Sequence, residues 1–486
     1  MIALKSLLYR VSIEAVEGNT DTLVDQIQFD SRKISHGDLF VALKGMVEDG
    51  HNFIKQAIEQ GAAVIVCETM PQQRDENVQY VVVENCHKAL AVMADNFYQS
   101  PSKQLHLVGI TGTNGKTSVA TLLFDVFTAL GYSCGLMSTV SIKYANASLA
   151  ATHTTPDALS VQKHLRNMVD GGVTHSFMEV SSHGIAQHRI SGLHFLGGVF
   201  TNLTHDHLDY HGSFKHYRDV KKIFFDFLPQ SAFALINADD KNGHYMVQNT
   251  KAKKKEYALK RAADYQVKIL EQQFTGMLLK INNQEVWTTL VGTFNAYNLL
   301  AVFATADQLG LDTFEVLKQL SQLKSLLGRF QIFQTEEKIT IIVDYAHTPD
   351  ALENVLKTIN AIRTRNEKVF TIVGCGGNRD KEKRPLMGKL AALYSDKVIF
   401  TSDNPRNESP EMIISEMMVG VGVEEHRKII KITDRQEAIA TAKHLCQPKD
   451  ILLIAGKGHE TYQEVDGVKY PFDDFKMAQE IFLNKN

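Results

Sequence analysis

Lys116 and Thr117 close the stretch Gly109-Ile110-Thr111-Gly112-Thr113-Asn114-Gly115-Lys116-Thr117-Ser118, whose residue types suit phosphate. Glycines let the backbone wrap close to phosphate oxygens, and successive N–H groups converge where a helix starts. Lys116 can neutralise β- and γ-phosphates, and the Thr117 hydroxyl can join a Mg²⁺ shell. The flanks agree, because residues 105–108 read as an apolar strand and 119–123 as a helix. One departure from G-x-x-x-x-G-K-[ST] is Ile110, which stands at the first glycine position.

Two further stretches carry chemistry. Met178-Glu179-Val180-Ser181-Ser182-His183-Gly184 ends a strand with acidic and hydroxyl groups. Beside a phosphate loop, an acidic strand end is a natural Mg²⁺ ligand, although Glu179 alone also reads as a solvated charge. Residues 202–212 pack His205, His207 and His211 among Asp206 and Asp209. No cysteine or regular ligand spacing supports a closed zinc site there. Hydrogen bonding and one Mg²⁺ contact, from His207, fit better next to a nucleotide.

These residues need elements to position them. A chain of 486 residues is too long for one ordinary core, so two to four domains are expected. Hydrophobic content of 44% and charged content of 22% describe a globular protein. A formal charge of -3 supplies no global attraction to nucleic acid or acidic membranes. Cys67, Cys86, Cys134, Cys375 and Cys446 are widely spaced, which predicts free thiols in a reducing compartment. The start, Met1-Ile2-Ala3-Leu4-Lys5, lacks a signal-peptide pattern, and runs such as 62–67 are too short to span a bilayer. The expected location is the cytoplasm.

From residue 27 to about 84, short strands alternate with helical patterns, as in a small α/β domain. The helical stretch 87–99 ends at Ser100-Pro101-Ser102, which reads as a linker. The phosphate loop opens a longer region with strands near 199–200 and 233–236, and Gly292-Thr293-Phe294-Asn295 turns into a helix. After Leu327-Gly328-Arg329-Phe330, strand candidates at 339–343, 369–373, 397–400 and 451–454 alternate with helices. That is the βαβ rhythm of an open, mainly parallel sheet. The expected class is α/β with three domains, at 1–100, 101–330 and 331–486.

The ordered set T-G-T-N-G-K-T, E-V-S-S-H-G, N-L-T-H-D-H-L-D-Y-H-G, G-T-F-N-A-Y-N and D-Y-A-H-T-P resembles the ATP-dependent Mur ligase family across essentially the whole chain. The nearest likeness is to its UDP-N-acetylmuramoyl-tripeptide synthetases. The resemblance implies a UDP-binding N-terminal domain, a central phosphate-loop ATPase and a Rossmann-like C-terminal domain. It implies joining of an amino acid to a UDP-muramyl peptide carboxylate through an acyl phosphate. ATP is then held by Gly112, Thr113, Asn114, Gly115, Lys116, Thr117 and Ser118, with Asn295, Arg329 and Asp344; His347 is a lesser candidate. Two Mg²⁺ ions are implied, with Thr117, Glu179 and His207 as ligands. Lys221 matches the family's lysine that CO₂ converts to a carbamate, although paired lysines on a helix usually form a solvated face. Leu327 stands where relatives commonly have proline.

The UDP-sugar dipeptide side is implied at Phe29, Ser31, Thr154, Thr155, Ser181, Gln187 and Arg189, the last able to neutralise diphosphate or carboxylate. Asp403-Asn404-Pro405-Arg406 follows a strand, where open α/β sheets bind ligands. The motif resembles members that add meso-diaminopimelate, whose extra carboxylate suits the planar fork of Arg406. Arg379, Gly456 and Glu460 complete that site. Without the family, Arg406 reads as a solvated loop arginine and Glu460 as a helix-cap charge. The expected partners are small molecules, UDP-MurNAc-L-Ala-D-Glu and meso-diaminopimelate, with no nucleic acid or membrane insertion and a monomeric chain. Alternatives are an L-lysine-adding relative, a folylpolyglutamate synthetase-like ligase and a non-catalytic nucleotide switch; Asp30-Ser31-Arg32 and Gly37-Asp38-Leu39-Phe40 argue against the folate enzyme.

Overall fold

Three sheets organise the chain in the computed structural model, which describes residues 1–45, 48–144, 147–151 and 153–483. The N-terminal sheet runs Ile13–Glu17, Gln79–Val83, Val64–Cys67, Leu39–Val41, Ile27–Gln28, with only the first strand antiparallel. Its parallel strands are continuous apolar runs because both faces are covered, by two separate clusters of buried side chains.

Helix Cys86–Phe97 packs against Ala158–Asp170 of the central domain. Buried Asp95 fixes that contact by accepting from Arg10 (2.7 Å), Ser100 Oγ (2.9 Å) and Gln162 Nε2 (3.3 Å). The connection at 100–102 is packed. Pro101 and Ser102 are buried in a one-turn helix, and Ser102 Oγ accepts from His194 N at 3.0 Å.

The central sheet has eleven strands. Its middle comprises β1 (His106–Thr111), β2 (Cys134–Met137), β3 (His175–Glu179), β4 (Gly197–Phe200) and β5 (Phe233–Asn237), in the order β2-β3-β1-β4-β5 and all parallel. Antiparallel strands close both edges, including a ribbon through Tyr265–Gln273, Gly276–Ile281 and Gln284–Thr288 that the hydrophobic pattern did not announce. Helices α1 (Lys116–Ala129), α2 (Phe214–Asp226) and α3 (Thr293–Gln308) lie on its faces.

The C-terminal sheet places β6 (Thr340–Asp344), β7 (Val369–Val373), β8 (Lys397–Phe400) and β9 (Ile451–Ala455) in the order β6-β9-β7-β8, all parallel. Helices α4 (Pro349–Ile362) and α5 (Lys383–Tyr394) cover one face and an apolar layer under the final helix covers the other. All five cysteines are free, four of them buried. Burial pushes the thiols of Cys67 and Cys134 up to about 11, and those of Cys375 and Cys446 to about 12. Among the described residues, no helix is long and apolar enough to cross a membrane.

Candidate active site

β1 lies among parallel strands, so residues 112–115 emerge at their C-terminal edge and α1 starts at Lys116. Gly112 has φ +148°, and a Cβ there would fall 1.9 Å from Thr201 Oγ1. Asn114 N donates to Asn202 Oδ1 (2.9 Å), and the Thr113 hydroxyl pairs with the Tyr217 hydroxyl (3.0 Å). Lys116 folds back so that Nζ donates to the carbonyls of Gly112 (3.0 Å) and Thr113 (2.8 Å). Thr117 and Ser118 sit buried in the first turn of α1.

Arg329 comes from the segment entering the C-terminal domain and reaches Thr117 Oγ1 through one terminal nitrogen (3.3 Å). Its guanidinium lies 4.7 Å from the Tyr345 ring centroid, and its Nε is buried with no protein partner. An anion in this corner would meet Lys116, Arg329 and the start of α1 together, so the residues fit a nucleotide phosphate. A cavity of about 490 Å³ opens beside Thr117 and Arg329, so an occupant would rest against the phosphate loop. Asn295, in the first turn of α3, donates to Val291 O (2.8 Å) and accepts from Asn298 (3.2 Å). Asp344 accepts from Phe330 N (2.6 Å); burial raises its carboxyl to about 6 against the pull of Arg329.

Lys221 is 1% exposed, on the face of α2 that also buries Tyr217 and Phe225. Its Nζ donates to Gly112 O at 3.0 Å. Burial first, and then Lys116, lower its proton affinity far below that of ordinary lysine, which favours a neutral amine. The solvated-face reading is corrected for both lysines. Lys222 is buried too, paired with Asp226 at 2.7 Å.

His207 precedes a single helical turn with φ +54° and sits 3.4 Å from Asp206 Oδ2. Burial, with His183, Lys116 and Lys221, lowers its proton affinity against Asp206 and leaves a neutral imidazole free to ligate. Thr117, Glu179, Asp206 and His207 offer hard oxygens and an imidazole, donor types that suit Mg²⁺ better than a thiolate-seeking metal, although the convergent metal-ligand group among the described residues is His205, Asp380 and Glu382.

Glu179, fully buried at the end of β3, accepts from Thr139 N (2.7 Å). A chain of contacts runs outward from it. Thr139 Oγ1 is 3.2 Å from Glu179 and 3.1 Å from Thr154 Oγ1, and Thr155 Oγ1 donates to Glu179 O at 2.9 Å. Arg189 then donates to Thr155 O (2.6 Å) and Gln187 Oε1 (2.6 Å), while the Ser181 hydroxyl caps Gly184 N (3.0 Å). Five expected acceptor-side residues therefore share one network. Ser31 is on the N-terminal domain, bonded to Gln56 (3.0 Å), next to a half-exposed Phe29.

In the C-terminal domain, Arg379, Asp403 to Arg406, Gly456 and Glu460 gather beyond the ends of β7, β8 and β9. Gly377 N donates to Asn404 O (2.9 Å), and a Cβ on Gly456 would lie 2.7 Å from Asp403 Oδ2. Arg406 has φ +50°; its guanidinium is braced by Gly377 O (2.8 Å) and Glu464 (3.3 Å) rather than solvated. Glu460 is not a helix cap: Asn404 Nδ2 donates to its Oε2 at 2.8 Å. Gly328, with φ +63°, presses on this region, since a Cβ there would fall 2.0 Å from His459 N.

Three family models match the chain: "Mur ligase family, catalytic domain" over 23–98, "Mur ligase middle domain" over 110–306 and "Mur ligase, glutamate ligase domain" over 328–458. A UDP-N-acetylmuramoyl-L-alanyl-D-glutamate--2,6-diaminopimelate ligase of Cytophaga hutchinsonii is 51% identical over 479 residues, 98% of each chain. The chain belongs to the Mur ligase family. A solved 2,6-diaminopimelate ligase of the same name shares 33% identity, covering 99% of this Mur ligase and 98% of that chain, with a TM-score of 0.70. At the level of fold alone, a MurF ligase of Thermotoga maritima solved with ADP matches at TM-score 0.63 and 20% identity, covering 95% and 98%.

Several residues of this Mur ligase escaped the motif reading. Asp350, at the start of α4, accepts from Asn114 Nδ2 at 3.0 Å, so the C-terminal domain reaches the phosphate loop. His205 Nε2 lies 3.3 Å from Asp380, a second crossing between domains. Thr139 and Tyr210 support Glu179 and Gln187. The signal for these was a place in or beside a motif, as with Asp350 directly after Thr348-Pro349.

Proposed function

We propose that the chain joins meso-2,6-diaminopimelate to the D-Glu carboxylate of UDP-MurNAc-L-Ala-D-Glu at the expense of ATP, in peptidoglycan precursor synthesis. The observation that supports this reading is the gathering of the phosphate loop, the Thr154-to-Arg189 network and the turns carrying Arg379 and Arg406 at the C-terminal ends of parallel strands. The full-length likeness to diaminopimelate ligases supports the same substrate.

A carboxylate resists amine attack until one oxygen becomes a leaving group. Lys116 and Arg329 hold the triphosphate so that the D-Glu carboxylate, steered by Arg189, attacks the γ-phosphorus in line; ADP leaves and an acyl phosphate remains. The amine of the amino acid then adds to the acyl carbon, and the tetrahedral oxyanion collapses with loss of inorganic phosphate. Lys116 and the first N–H groups of α1 stabilise the developing charge. Thr117, Glu179, His207 and, if carbamylated, Lys221 would hold Mg²⁺, which would supply shielding between the triphosphate and the incoming carboxylate. Neutral Lys221 is the form that adds to CO₂, which makes its burial chemically useful.

Arg406 and Arg379 take the two carboxylates of diaminopimelate, and Glu460 takes the distal ammonium. We assign the work to a monomer in the cytoplasm. The test measures tripeptide product by mass spectrometry with meso-diaminopimelate or L-lysine at matched concentrations. Wild type is expected to prefer meso-diaminopimelate, and Arg406→Ala to lose roughly ten- to hundredfold of that preference. Equal use of both amino acids by wild type refutes the substrate assignment.

A further inference from the structure

Asp403, Asn404 and Glu460 converge on a residue that has no role in the reading above. Lys457 lies in the turn after β9, between Gly456 and Gly458, and is 0% exposed. Its Nζ donates to Asn404 Oδ1 (3.1 Å) and to Glu460 Oε2 (3.1 Å), and lies 3.7 Å from Asp403 Oδ1. Asn404 Nδ2 donates to the same Glu460 oxygen at 2.8 Å, while Oε1 receives, among the described residues, a long contact from the Tyr345 hydroxyl at 3.5 Å. Counted apart from Arg379 and Arg406, the cluster of Asp403, Glu460 and Lys457 sums to one negative charge. A buried ammonium is costly unless it is paired, so its place here needs a reason beyond filling space.

Resting on the diamino-acid reading, we infer that Lys457 is the positioning residue of the amino-acid pocket. It locks Glu460 onto Asn404 with one oxygen turned to the ligand, and it trims the two carboxylates to the single charge that one distal ammonium matches.

The charged and titratable groups facing Glu460 are Asp403 from the turn after β8, Lys457 from its own turn, Tyr345 from the turn after β6, and Arg435 beneath. Burial and Asp403 raise the proton affinity of Glu460, whereas Lys457 and Asn404 oppose that rise. Loss of Lys457 therefore favours the protonated carboxyl, which lacks the charge that pairs an ammonium. The acid limb of kcat/KM for the amino acid should move to higher pH.

The experiment is a cycle of Lys457→Met, Glu460→Gln and the double variant, with the amino acid varied at saturating ATP and UDP-sugar peptide between pH 6 and 9. Lys457→Met is expected to raise KM for the amino acid at least tenfold, leave KM for ATP within twofold and shift the acid limb upward. In the Glu460→Gln background the same change should alter KM less than twofold. Equal effects in both backgrounds, a parallel rise in KM for ATP or an unmoved acid limb would overturn the inference. If the single variant does not melt cooperatively, the double variant decides: a KM equal to that of Glu460→Gln supports the role, and a further tenfold rise refutes it. Wild type is assayed first with both amino acids. Preference for L-lysine would sink the diaminopimelate assignment alone, and the cycle would then be run with L-lysine, which carries the same distal ammonium.

Discussion

Lys221 and Lys222 are neighbours on α2 with different partners. Lys221 faces the phosphate loop through Gly112, whereas Lys222 is spent on Asp226 one turn later. Lys221→Ala is therefore expected to be nearly inactive with an unchanged melt, and to regain part of its turnover with acetate or bicarbonate. Lys222→Ala should keep its turnover per folded molecule but lose about 1–3 kcal/mol of stability, because a largely buried ion pair loses one member. Kinetics and thermal melts of the two variants check both outcomes; equal activities without rescue would remove Lys221 from the chemistry. Lys116→Ala should abolish ADP formation while melting as cooperatively as wild type, since its ammonium bonds only loop carbonyls. Near-normal turnover in that variant would refute its phosphate role.

At the scale of elements, α5 is anchored by fully buried Arg384, which pairs with Glu408 (2.9 Å) and Glu416 (2.6 Å). Glu408 also accepts from Asn378 N (2.5 Å), so it ties α5 to the turns carrying Arg379 and Arg406. The Arg384 hydrogen bonds hold its carboxyl down to about 2. A lowered carboxyl stabilises the fold above its ordinary value near 4.5, and that stability fades as pH falls from there toward 2. Glu408→Gln should thus lower the melting temperature at pH 7, with the gap from wild type narrowing below about pH 4.5. A gap that stays constant from pH 7 down to about pH 2.5 would contradict this.

The phosphate loop is legible in the sequence because strand, glycine turn and helix all lie within residues 105–123. The β7 and β8 strands are legible for the same reason, as short apolar runs buried on both faces. The ribbon after Tyr265 is not, because its alternation is broken by a bulge between Ile269 and Glu271 and carries many charges. Lys222 and Lys457 look like ordinary surface lysines until folding brings Asp226 and Asn404 to them; the second partner is 53 residues away.

For the whole molecule, the contact that matters most spans 236 residues, from Asn114 in the phosphate loop to Asp350 at the head of α4. It makes the C-terminal domain part of the nucleotide's surroundings. Asp350→Ala is expected to raise KM for ATP several-fold with little change in melting temperature, and steady-state kinetics would test this. An unchanged KM would mean that the loop keeps its shape without the neighbouring domain.

The five thiols bear on how the spacing of the domains can be watched. Four are sealed in cores, and all five ionise only at strongly alkaline pH, so maleimide dyes at pH 7 should find almost nothing to react with. The native chain is thus a nearly silent background for spectroscopy. Two cysteines introduced on exposed positions of different domains, such as Lys55 and Glu424, would be the dominant labelling sites. Energy transfer between them could then report, one molecule at a time, whether the distance between those domains changes as each substrate arrives.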